Sequence, residues 1–187
     1  MRFGHVMLVI WGGAITLAIG AGMFRHAQPL TAPTLQQMEP SEQVEEAGWR
    51  AVHVMVEGCP CSATVAQHLV NRKPVSGWRE FVYSLEGNVE PAWVAELRGA
   101  GYRVERMDAA TLKSKTGASG GPWLLAATPE GKIVYSGGYA ERRPSSGTMA
   151  QLIDGQILRD LSQGKNVAAL PAYGCSVPPE GISVTLQ

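Results

Sequence analysis

Glu57-Gly58-Cys59-Pro60-Cys61-Ser62, residues 57–62, is the stretch on which the reading of this chain turns. Two cysteines flank a single proline. Ahead of them runs WRAVHVMV, residues 49–56, rich in aromatic and β-branched side chains, which predicts a mostly buried strand. Behind them Val65, Leu69 and Arg72 recur at helical spacing, which predicts an amphipathic helix over 62–72, closed by Pro74 and Gly77. A thiol at a strand-to-helix junction meets helix-terminal N–H groups and the positive end of the helix dipole. Both favour the thiolate, which is the reactive form. Cys59 and Cys61 are therefore the first candidates for a working site.

The chain downstream alternates in the same way. WREFVYSL (78–85) reads as a second strand, and Pro91 suits the first position of a helix that carries Trp93, Val94 and Leu97 on one face. Residues 102–107 read as a third strand and 109–115 as a short helix or turn. After Gly120-Gly121-Pro122, WLLAAT (123–128) is a strand, Pro129 to Lys132 a tight turn, and 133–136 its partner. Met149, Leu152, Ile153, Ile157 and Leu161 form a helical stripe, with Ser146 as N-cap and Gly164 as stop. The tail from Asn166, which carries Cys175 and three prolines, reads as irregular. Strands alternating with helices and ending in a hairpin predict an α/β fold: a three-layer arrangement around a mixed central sheet.

Composition limits the partners. The 187 residues are 45% hydrophobic, enough for a core, and suit one domain plus an appendage. Net charge is zero with sixteen scattered basic residues, so no nucleic-acid footprint is visible. Three cysteines are too few for a disulfide-stapled scaffold, and the odd count leaves one thiol over. Residues 6–24 carry no charged side chain and are long enough to span a hydrocarbon core. Residues 1–26 read as a membrane anchor, the alternative being a secretory signal peptide; either exports the remainder. Residues 27–47, polar and with three prolines, read as a linker, and 48–187 as the globular domain.

The cysteine junction and the later Gly-Pro together resemble the thioredoxin-like superfamily. The resemblance covers 49–164: cysteines after the first strand, Pro60 directly before Cys61, and Gly121-Pro122 just before a strand. GPWLLAATPEGKIVYSGGY resembles the terminal hairpin of the periplasmic TlpA/ResA-like branch. Cys-Pro-Cys-Ser, the Ser-Gly-Gly after the hairpin and the late Tyr-Gly-Cys resemble a RedB-like group of bacterial proteins. The resemblance implies a thioredoxin-like fold and thiol–disulfide exchange, with Pro122 in cis opposite the cysteines and Gly121 and Trp123 lining a substrate groove. It also implies a carboxylate, here Glu57, as proton acceptor. The departure is the spacing, Cys-x-Cys in place of the family's Cys-x-x-Cys.

With Pro60 at the first helical position, Cys59 falls at the N-cap, where its sulfur would accept N–H bonds from the first turn. No Lys or Arg adjoins the pair in sequence, so only a moderate drop in its pKa is expected. Cys59 is the expected nucleophile, resolved by Cys61 or by Cys175. Cα atoms two apart in an extended chain lie about 5.5–7 Å apart, at the margin of disulfide range.

Two other readings stand beside this one. Close thiols bind a soft ion such as Cu(I), with Cys175, His53, Met55 or His68 as possible additions; or the domain is a non-catalytic interaction module with a passive disulfide. No structural zinc pattern, phosphate loop or Ser-His-Asp arrangement stands out, and no cofactor or resident metal is expected. Trp78 and Trp93 read as core, and Arg142 and Arg143 as solvated loop charges. The expectation is a single-pass protein of the bacterial inner membrane with its C-terminal domain in the periplasm. Its partners would be client protein thiols or disulfides and a redox partner protein.

Overall fold

The computed structural model describes residues 11–13, 15, 29–33, 48–143 and 151–177. Its framework is one five-stranded mixed sheet. β1 (Trp49–Val56) is the central strand, and β2 (Trp78–Leu85) pairs parallel to it in unbroken register from Trp49↔Trp78 to Val56↔Leu85. β3 (Arg103–Met107) continues the parallel side. β5 (Trp123–Ala127) lies antiparallel on the other flank of β1, and β6 (Ile133–Gly137) pairs antiparallel to β5. The order is β3-β2-β1-β5-β6. This is the mixed central sheet that the alternation of strands and helices predicts.

Parallel neighbours need a crossover, and α1 (Pro60–Arg72) and α2 (Ala92–Gly99) supply them. Alternation along β1 then sorts the core. Ala51 and Met55 face α1, α2 and α4 (Asp154–Ser162), packing with Leu69, Leu97, Leu124, Ile157 and Leu158. Val52 and Val54 face the opposite layer with Leu112 of α3 (Ala109–Thr116), Trp123 and Leu125. β1 from Ala51 onward and β5 are buried on both faces, whereas β2 alternates buried and half-buried positions.

The helical face also encloses charge. Arg72 reaches Glu80 at 2.6 Å and Asp154 at 2.7 Å, His68 Nε2 meets Asp154 at 2.7 Å, and His53 Nε2 meets Glu80 at 2.8 Å. His53 Nδ1 lies 2.9 Å from the Tyr139 hydroxyl. Burial pushes the Glu80 and Asp154 carboxyls up, but their bonds to His53, His68 and Arg72 outweigh it, and both end at about 2. A buried carboxylate keeps its charge only with such partners.

Several boundaries differ from the sequence reading. α1 begins at Pro60, and Pro91 is the N-cap of α2 rather than its first residue. The last helix is shorter: Leu152 precedes it, and the Ile153 N–H is taken by Tyr139 O at 2.9 Å before α4 opens. Ser146 and Met149 lie outside the described residues, as does almost all of the expected anchor. Among the described residues no helix is long and apolar enough to cross a membrane.

The tail is not irregular. Cys175–Ser176 forms a short strand, β7, antiparallel to β4 (Gly120–Gly121), with Gly121 opposite Cys175. Within the expected linker, Leu30 donates its N–H to Ala172 O at 2.7 Å and packs on the α3 layer.

Candidate functional site

β1 delivers its chain directly to the sulfurs. The strand ends at Val56, whose N–H donates to Ser62 Oγ at 3.0 Å, tying the strand end to the first turn of α1. Cys59 N–H turns back to Val56 O at 3.1 Å. Cys59 sits at the N-cap in extended backbone (φ −84°, ψ 120°), with Pro60 next to it opening the helix. Proline is pre-set for that position and has no N–H to leave unpaired.

Three thiols converge here. Cys59 and Cys61 are each 2% exposed, and Cys175, half-buried, packs against them with Val56 and Leu85. None of the three is joined in a disulfide. Cys61 comes from the helix; β7 carries Cys175 in from the far end of the chain by pairing it with Gly121. The Gly121–Pro122 bond is cis, as the resemblance leads one to expect, and Gly121 O lies 3.8 Å from Cys59 Sγ.

Electrostatics favour one thiolate in this cluster, on Cys59. Hydrogen bonds from the Cys175 thiol and then the Cys61 thiol hold its pKa far below the usual thiol range, against the desolvation that opposes them. The backbone N–H groups of Ser62 and Cys61 add smaller contributions. The sequence led us to expect the helix N-terminus as the main cause. Those first-turn N–H groups contribute, but the neighbouring sulfurs do most of the lowering.

Cys61 and Cys175 move the other way. Each is held protonated chiefly as donor to Cys59, and burial adds to it. The titration belongs to the trio rather than to any one residue.

Arg143, expected as a solvated loop charge, donates from Nε to Cys61 Sγ at 3.3 Å. It pulls the Cys61 pKa down against the rise that Cys59 and burial cause. Nothing in sequence marks a cation 82 positions away as a thiol's neighbour.

The other candidates are placed as follows. Glu57 turns away from the sulfurs: Arg106 donates to its two oxygens at 2.6 and 2.8 Å, Gly87 N–H at 2.7 Å and Ser84 Oγ at 3.2 Å. Burial raises its pKa, but those bonds lower it more. Its carboxylate thus fastens the end of β1 to β2 and β3. Trp123 is 2% exposed, with its indole N–H on Ser136 Oγ at 3.0 Å, so the ring packs the core. Gly121 meets the sulfurs through its carbonyl.

His53 and His68 are engaged in the buried ion network, and Met55 is core. Among the described residues no group of three or more His, Cys, Asp or Glu is disposed to hold a metal ion.

Comparison with solved structures bears on the fold. An uncharacterised conserved protein from Geobacillus kaustophilus superposes with a TM-score of 0.59 at 18% identity, over 84% of this chain and 93% of its own. A hypothetical protein from Sinorhizobium meliloti 1021 gives 0.57 at 17% identity, over 81% and 92%. At these identities the likeness extends to the fold alone. A thioredoxin-like protein in its oxidised form gives 0.45 at 10% identity, over 74% and 97%, too low a score to carry an argument. No protein-family model and no curated protein matches the chain.

Proposed function

We propose that the chain is a thiol–disulfide oxidoreductase whose nucleophile is Cys59. One observation carries the reading: three free cysteine sulfurs, brought from a strand end, a helix and the far tail, pack together at the N-terminus of α1. A thiolate beside two protonated thiols holds both halves of an exchange, one sulfur to attack and others to resolve.

In the forward direction Cys59 S⁻ attacks a client disulfide R–S–S–R′. It forms Cys59–S–S–R and releases R′–S⁻. Cys61 or Cys175 then gives up its proton and attacks the Cys59 sulfur, expelling R–S⁻ and leaving an intramolecular disulfide. The client gains two electrons, and the two cysteines of the chain lose them. A redox partner protein returns the pair to the dithiol, and the whole sequence runs in reverse where the partner is the oxidant.

The finer reading is a membrane-tethered domain of the TlpA/ResA-like periplasmic branch, nearest a RedB-like group, with residues 1–26 as its anchor. The charge-free run 6–24 and the Cys-Pro-Cys-Ser junction support it. Thiols that cycle between states suit an exported domain, where a partner sets the poise.

The test is thiol mapping by mass spectrometry after equilibration across a series of glutathione potentials. A disulfide joining Cys59 to Cys61 or Cys175, titrating at a defined potential, is expected. No such pairing at any potential ends the proposal.

A further inference from the structure

β7 lies against β4 at the reactive sulfur, and the fit between the two backbones is close. Gly120 pairs with Ser176 and Gly121 with Cys175, and Val177 N–H closes the ladder on Ser119 O at 2.7 Å. A Cβ on Gly174 would fall 1.8 Å from Gly121 O, and one on Gly120 would fall 2.5 Å from Cys175 O. Such contacts admit glycine alone, so both sides of this pairing are shaped for it. Upstream, the tail is held independently: Leu170 O accepts from Gly138 N–H at 2.8 Å, and Ala172 O from Leu30 N–H at 2.7 Å.

The ladder itself is two residue pairs long. With so few backbone hydrogen bonds, so short a strand can be exchanged for another without disturbing the five-stranded sheet.

We propose that β7 is a tethered stand-in for the client: an incoming extended segment displaces Gly174–Val177, pairs with Gly120–Gly121, and is expelled when β7 returns. This rests on the oxidoreductase reading of the same site. With β7 displaced, Cys59 S⁻ attacks the client disulfide R–S–S–R′, forming Cys59–S–S–R and releasing R′–S⁻. Return of β7 brings Cys175, which loses its proton, attacks the Cys59 sulfur and expels R–S⁻. The Cys59–Cys175 disulfide forms as the client strand leaves. Resolution and product release become one movement, because the resolving thiol rides on the competing strand.

The displaced segment also describes its replacement. The position before Cys175 has no room for a side chain, so the favoured client is an extended peptide with Gly directly before its cysteine.

The probes are the octapeptide Leu-Pro-Ala-Tyr-Gly-Cys-Ser-Val, which repeats residues 170–177, as its mixed disulfide with glutathione; a Gly-to-Ala version of it; and glutathione disulfide. Gly174→Ala cannot seat β7 and should raise the exchange rate with the Gly-Cys peptide about tenfold over wild type, by enlarging the open fraction. The Ala-Cys peptide should gain nothing.

In wild type, the same octapeptide with Ser for Cys should strip hydrogen-exchange protection from the Val177 amide, and this reading decides the matter if Gly174→Ala does not fold. Equal peptide rates in both proteins, or a Val177 amide protected at saturating peptide, overturn the displacement. Failure of every protein, wild type included, to exchange with glutathione disulfide overturns the oxidoreductase reading beneath it instead.

Discussion

Replacing Cys175 by alanine should raise the pKa of Cys59 by about one unit, and replacing it by serine should not. The leading cause of the low Cys59 pKa is the hydrogen bond from the Cys175 thiol, followed by that from Cys61. Hydrogen bonds to a charged group contribute about 1.5–3 kcal/mol, and S–H is a weak donor, so the lower end of that range applies. At about 1.36 kcal/mol per unit, the loss of one such bond moves the midpoint up by about one unit. Alanine removes the donor; serine keeps an O–H in its place.

The assay is the ultraviolet absorbance of the thiolate followed against pH in the reduced protein, which needs no reagent to reach a sulfur that is 2% exposed. Wild type should hold its thiolate throughout the neutral range. The sign is fixed by which form is stabilised: removing a donor to the anion favours the thiol and shifts the midpoint upward. Equal midpoints for wild type and Cys175→Ala, or a serine variant that shifts as far as the alanine one, would refute the thiol-to-thiolate bond as the cause.

Three further outcomes follow from the same geometry. Arg143→Ala removes the cation that holds the Cys61 thiol down, so Cys61 should titrate higher, seen as an upward move of the later step in the same absorbance titration; an unmoved step would contradict the contact. Glu57→Gln should leave Cys59 reactivity near neutral pH unchanged while lowering the thermal midpoint, since the carboxylate anchors Arg106 and Gly87; a lost rate with intact stability would restore it as a proton acceptor. Glu80 and Asp154 are depressed from 4.5 and 3.8 to about 2, so the stability they contribute is present above the unfolded values and vanishes as pH falls from about 4.5 to about 2. Each accounts for about 2–3 kcal/mol by linkage, shared through Arg72, and a thermal midpoint that stays flat across that window would contradict their ionised state.

The core was legible in sequence because it is written in local runs. Trp49–Val56 and Trp78–Leu85 are continuous apolar or alternating stretches between clear breakers, and periodicity placed both. The Cys59–Pro60 junction was legible for the same reason: proline suits the first helical position, and an amphipathic run follows it. The end of the chain was not.

β7 has two residues, too few to show any period, and its pairing depends on Gly121 and Gly120, 54 and 56 positions from their partners. The apolar stripe of α4 runs back through Leu152 and Ile153, but the Tyr139 carbonyl claims the Ile153 N–H before the helix opens. Loop arginines are solvated as a rule, and only the fold brings Arg143 to Cys61.

These misses share a cause, and it bears on how the site is assembled. Cys59 and Cys61 are placed by a strand and a helix whose packing is local and extensive, so their positions follow from the core. Cys175 depends on a few backbone bonds made by other loops: Val177 to Ser119, Leu30 to Ala172, and Gly138 to Leu170. The side chain of Leu30 comes within 2.9 Å of where a Cβ on Gly120 would stand, so it closes the far side of the strand pair that holds Cys175. A segment that reads as a plain tether therefore helps position the third sulfur. Because the Cys175 thiol is the leading cause of the low pKa of Cys59, order in this outer layer sets the charge on a sulfur that the inner layer positions.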